Sequence, residues 1–172
     1  MRTPANIAKH PIHPMLVTIP IGLWVFSFVC DLVYLSGKFA GPWSTVALYT
    51  MVGGVVGALL AAVPGLIDLL SLPSEPRKTA IYHMVINLTV VALYVVNVWL
   101  RLSGPENLQG PIWLSVIAIG LLLVSGWLGG KMVFVYGIAV DTPAEPVSTR
   151  GSAERSQWSE QQKEPLRGGQ RR

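Results

Sequence analysis

Charge is what this sequence has least of. Of its 172 residues 13% are Asp, Glu, Lys or Arg, 51% are hydrophobic, and the mean hydropathy is +0.49. That balance excludes an ordinary soluble core, which needs a polar surface to meet water, and points to a membrane protein. The single cysteine, Cys30, excludes an intrachain disulfide framework, and its place inside an apolar run makes it a small packing residue. The three histidines allow at most one bis-histidine site. G-x-S-x-G, H-E-x-x-H and a phosphate-cradling glycine loop are all missing, so the motifs of the common hydrolases and nucleotide binders are not there, and an enzyme is the weaker reading.

Long apolar runs are what the chain does have. A helix needs roughly 20 residues to cross about 30 Å of hydrocarbon. Spans are expected at 14–35, 43–71, 79–101 and 111–129. Arg2 and Lys9 ahead of the first run imitate a signal peptide, but the run is too long and no A-x-A-like site follows, so an uncleaved first span is expected. The intervening gaps are short and favour antiparallel neighbours, giving an all-α integral membrane protein built as a four-transmembrane-helix up-down bundle. In the second run Gly53, Gly54, Gly57 and Gly65 permit close helix approach, and Pro64 a bend. Gly120 and Gly126 are expected on packing surfaces of the fourth.

Four spans place the N-terminus, the middle gap and the C-terminus on one side. That side carries Arg2, Lys9, Arg77, Lys78 and Lys131 besides the tail, against Lys38 and Arg101 on the other. The basic excess predicts an inner-membrane protein with both termini cytoplasmic. The run 130–140 is too short for a fifth crossing and is expected to fold back as an interfacial segment, with Gly129, Gly130 and Gly137 at turns or close approaches. Residues 142–172 lack an apolar period and read as a disordered cytoplasmic tail. From Asp141 on, six basic residues are mixed with five acidic ones, so the tail offers no like-charge block and no nucleic-acid partner is expected. The expected domains are therefore 1–141, embedded in the lipid bilayer, and the tail. Trp43, Trp99 and Trp113 fall at outer span ends, as interfacial aromatics do, whereas Trp24 and Trp127 are expected to pack inside.

Few polar residues remain to be explained. His10 and His13, in HPIHP, precede the first span; His83 lies about one turn into the third, and Asp68 in the last turns of the second. All four fall toward the cytoplasmic face. Asn87 follows His83 by four residues and shares its helical face. Each has a structural reading: Pro14 suits the first position of a helix and makes HPIHP a rigid helix entry. Asp68 and His83 could form a buried interhelical hydrogen bond that Asn87 helps to satisfy, and Asp31, near the outer end of the first span, could snorkel or cap. Ionisable groups inside spans are costly and are functional candidates by default.

HPIHPMLVTIPIGLW at 10–24, GLIDLL at 65–70, H-x-x-x-N at 83–87 and GGKMVFVYGIAV at 129–140 together resemble the bacterial four-span membrane family catalogued as domain of unknown function 2231. The resemblance covers roughly residues 9–141. It implies a small integral membrane domain, with relatives attached to iron–sulfur or cytochrome-like modules. This chain has no Cys-x-x-Cys-His and one cysteine, so neither module is present.

Three functions compete. One is electron transfer through a b-type haem, ligated by His83 with His13 or His10 and oriented by Asp68 or Asn87, or through a transition metal held by all three histidines with Asp68. That reading expects a redox or membrane-protein partner. The second is a non-enzymatic membrane scaffold or partner subunit whose polar cluster locks helix packing. The third is proton or small-solute transport through Asp31, Asp68 and His83, for which no complete polar pathway is visible.

Overall fold

A computed structural model describes residues 3–39, 41–103 and 109–140. The expected tail lies outside the described residues. Met1–Val140 forms one compact unit. In chain order it has β1 (Asn6–Ile7), β2 (His10–Pro11), α1 (Ile12–Leu16), α2 (Thr18–Ser36), α3 (Trp43–Ser71), α4 (Ser74–Ser103) and α5 (Gln109–Phe134). Four helical stretches are long and apolar enough to cross a membrane: Ile12–Ser36, Trp43–Ser71, Ser74–Ser103 and Pro111–Phe134.

Three boundaries fall outside the expected spans, and proline is the reason at two of them. The first helix begins at Ile12, with Pro11 as N-cap, so His13 and Pro14 already lie in its first turn. The fourth begins at Ser74, which takes Glu75, Pro76 and Arg77 out of the expected gap and into the first helical turn. A first turn tolerates proline because its N–H groups have no intrahelical partner. At the same end of the bundle, α5 continues past 129 to Phe134, with Lys131 in its last turn, where a cation complements the helix dipole. The fold-back is therefore shorter than expected. It turns at Gly137 (φ +61°) and returns Ile138 to pack on Leu72 and Ala80. Lys131 stands 5.7 Å from the Tyr136 ring centroid, within cation–π range.

Buried positions advance by alternating threes and fours. On α2 they include Pro20, Trp24, Ser27 and Asp31; on α3 Ala47, Met51, Gly54, Ala61, Pro64 and Asp68; on α4 Val90, Tyr94 and Asn97. That spacing is the one that keeps a single seam facing inward in a left-handed helical bundle. At mid-depth Trp24 stacks on Tyr94, with centroids 4.5 Å apart and planes at 7°, and Met51, Val90 and Ala118 close around them. The Trp24 Nε1–H donates to the Met51 carbonyl at 3.3 Å. α3 runs unbroken through Pro64.

The expected close approach of α2 and α3 is present at Gly53, Gly54 and Gly57, where an added Cβ would meet Leu23, Trp24 and Ile19. Gly120 and Gly126 do not pack: an added Cβ at either would meet nothing within 4 Å. Gly130 is likewise open. Trp127, expected inside, is 80% exposed and turned outward, because the inward stripe of α5 passes through Ser115, Ala118 and Ser125 instead.

Candidate functional site

Two polar groupings sit at opposite ends of the bundle. The first contains most of the residues singled out from the sequence. His13, in the first turn of α1, donates from Nδ1 to the carbonyl oxygen of Ala61 on α3 at 2.8 Å. His83, on α4, places Nδ1 3.0 Å from the Ser125 carbonyl oxygen and 2.9 Å from Ser125 Oγ on α5. A carbonyl only accepts, so each ring has a proton on Nδ1, and in its neutral form it has the lone pair on Nε2. The two imidazoles lie 6.4 Å apart between centroids, with planes at 86°.

The local sequence explains the placement of His13. Ala61, Gly65 and Asp68 occupy one face of α3 at i, i+4 and i+7. The imidazole lies over Gly65, where an added Cβ would approach Nδ1 to 2.7 Å. One turn on, Asp68 Oδ1 accepts the Ala5 N–H at 2.9 Å, and the Ala5 carbonyl accepts the Ile12 N–H at 3.0 Å. These bonds clamp the segment before α1 against α3. Between them, β1 and β2 form a hairpin whose central residues, Ala8 and Lys9, have φ of +49° and +70°. Non-glycine residues of this kind cost of order 1–3 kcal/mol each, and such strain persists where its surroundings fix it.

The remaining candidates fall elsewhere. His10 is exposed, with Nδ1 2.9 Å from the Ala8 carbonyl oxygen, so it does not join the pair. Asp68 bonds Ala5 rather than His83, and Asn87 donates to the His83 main-chain oxygen at 2.9 Å rather than to its ring. The side chain that orients His83 is Ser125, which sequence reading missed. Three histidines and one carboxylate are therefore not assembled, and among the described residues no group of three or more His, Cys, Asp or Glu could hold a metal ion.

The grouping at the other end was also missed. Asp31, read from sequence as snorkelling or capping, is fully buried and paired in two bonds with Arg101, Nη1 to Oδ1 at 2.8 Å and Nη2 to Oδ2 at 2.7 Å. The Arg101 side chain is only 4% exposed. Its Nε–H donates to Asn97 Oδ1 at 2.8 Å, and Asn97 Nδ2 donates to the Pro111 carbonyl and to Ser115 Oγ. One network thus joins α2, α4 and α5. A signal was present: positions 83, 87, 90, 94, 97 and 101 advance by fours and threes, which puts Arg101 on the same inward stripe as His83.

Replacing Gly65 with alanine tests the His13 seat. The new methyl group must push the imidazole off the Ala61 carbonyl, a loss of about 0.5–1.5 kcal/mol that alanine's helix propensity offsets by about 1 kcal/mol. Stability should therefore change little. In protein labelled with 15N-histidine, the His13 Nδ1 resonance should move to the position of a ring without that bond, while His83 stays in place. An unmoved His13 signal would contradict the geometry.

Four apolar spans with polar groups at both ends of a packed seam define a polytopic α-helical membrane protein. The family model described as "Predicted membrane protein (DUF2231)" matches residues 9–142, and the chain belongs to that family. No curated protein and no solved structure matches it.

Proposed function

We propose that this protein is a multi-pass protein of the bacterial inner membrane in which His13 and His83 ligate the iron of a b-type haem that serves electron transfer. The observation that carries this reading is the imidazole pair. Both rings are fixed by hydrogen bonds from Nδ1 to main-chain oxygens, the arrangement that orients metal-ligating histidines and raises their basicity. The ring centroids stand 6.4 Å apart, a separation at which His13 and His83 could together hold one iron.

A pair of protein donors suits haem better than a bare ion, because the macrocycle would itself supply the remaining nitrogens. The group would supply a one-electron couple. The chain's own residues hold the imidazoles: Ser125 orients His83, Ala61 orients His13, and Asp68 anchors the segment that carries His13. Gly65 and Gly129, the latter 3.5 Å from the His83 ring when given a Cβ, keep the flanks of both rings slender.

The basic residues support an orientation with this end in the cytoplasm. Lys9, Arg77, Lys78 and Lys131 lie here. At the other end Arg101 is neutralised by Asp31, which leaves Lys38 alone among the described residues.

A scaffold reading rests on the same bonds, since His13 ties α1 to α3 and His83 ties α4 to α5. Absorption spectra of the detergent-purified protein from haem-replete cells separate the two. Haem ligation predicts a Soret band with α and β bands on reduction, lost in His83→Ala and in His13→Ala and retained in His10→Ala. A colourless wild-type protein would refute haem ligation and leave the pair as a packing lock. Transport has less support, because the Trp24, Met51 and Val90 layer separates the polar ends.

A further inference from the structure

Hydroxyl groups inside membrane helices ordinarily turn back onto their own backbone. Thr50, Thr89 and Ser115 do so here, each reaching a carbonyl one turn earlier, and Ser71 reaches that of Asp68. Ser27 does not. It is fully buried, and no protein group among the described residues satisfies its Oγ. The hydroxyl of Tyr94 is in the same condition, at 0% exposure. A buried hydroxyl without a partner costs about 1–3 kcal/mol. Two on one seam therefore need a common explanation.

Their positions supply it. Across the bundle core, side chains of α2 and α4 meet at two levels, in the Trp24–Tyr94 stack and in the Asp31–Arg101 pair. Ser27 stands on α2 between these levels, three residues after Trp24 and four before Asp31, on the buried stripe. Tyr94 is on α4 at the lower level, three residues before Asn97 and seven before Arg101 on the same stripe. Each Asp31 oxygen takes one guanidinium hydrogen bond and keeps acceptor capacity. A buried ion pair is stable only when such remaining lone pairs are also met.

We propose that the bundle core between α2 and α4 contains an internal water-binding site, between the Trp24–Tyr94 stack and the Asp31–Arg101 pair, with the Ser27 and Tyr94 hydroxyls as its protein partners. Water fits the donor set: each hydroxyl can donate or accept, the carboxylate accepts, and a buried water characteristically makes about three hydrogen bonds. The site carries hydrogen bonding from the ion pair inward to the aromatic layer, where Met51 and Val90 end it. It does not depend on the imidazole pair at the opposite end.

Ser27→Ala, Tyr94→Phe and the double variant test the site, because each deletes a hydroxyl and keeps the shape. Unfolding midpoints are measured in detergent. A shared water predicts that each single variant lowers the midpoint and that the double variant loses less than the sum. Unchanged or raised midpoints, or strictly additive losses, overturn the proposal. Millisecond hydroxyl-radical footprinting with synchrotron X-rays provides the second readout. Water activated within the site should label Tyr94 despite its burial and leave the equally buried Met51 unlabelled. Absence of label on Tyr94, or equal label on Met51, also overturns it.

Discussion

Arg101→Leu is expected to destabilise the protein by about 3–5 kcal/mol, the cost of leaving one partner of a buried ion pair uncompensated. Asp31 is fully buried, and both of its oxygens accept from the guanidinium. Without Arg101, the carboxylate must either stay charged in a medium that cannot solvate it or take up a proton. Asn97 would also lose the donor to its Oδ1. Reversible unfolding in mixed micelles measures the loss. The double variant Asp31→Leu/Arg101→Leu should recover most of it, since replacing both members of a buried pair with apolar groups is often neutral. A loss below about 1 kcal/mol in the single variant would be the behaviour of a solvent-exposed pair and would contradict the buried network.

Gly54→Val should be the next most damaging change. Even a Cβ at this position would overlap the Trp24 indole, so the ring must move. It has little freedom to do so, being stacked on Tyr94 and bonded to the Met51 carbonyl. Overpacking of this kind costs about 1–3 kcal/mol, and the displaced indole N–H adds about 1 kcal/mol. Gly22→Ala is the matched control, because its Cβ would meet nothing within 4 Å. It should be neutral or stabilising by up to about 1 kcal/mol through helix propensity. Thermal unfolding of the two variants side by side checks the contrast, and equal midpoints would contradict the Gly54–Trp24 contact.

The four spans were legible because lipid demands uninterrupted apolar length, and that demand is written residue by residue. Their ends were less so. The first span was expected to begin at 14 and the third at 79, yet the helices begin at Ile12 and Ser74, because a first turn accommodates proline at little cost. His13 and His83 could be selected because histidine is rare in a span, but their partners could not. Ala61 acts through its main-chain oxygen, and Ser125 through its own main-chain oxygen as well as its hydroxyl, and main-chain oxygens are ones every residue has and no sequence distinguishes. Trp127 misled for a related reason: a tryptophan has the same composition whether it faces the seam or the lipid, and only the register of α5 decides. Arg101 was counted as a surface charge because it falls near the end of its span, although the spacing of threes and fours already placed it on the inward side.

The Asp31–Arg101 bond joins residues 70 positions apart. A chain made at about 5–20 residues per second therefore delivers the carboxylate roughly 4–14 s before the guanidinium. During that interval the first two membrane helices can enter the bilayer as a hairpin, drawn together at Gly54 and Trp24, while Asp31 has no counter-ion. The first helix is thus stitched into place by the third, and the order in which the ribosome releases them makes α4 the arrival that completes the assembly.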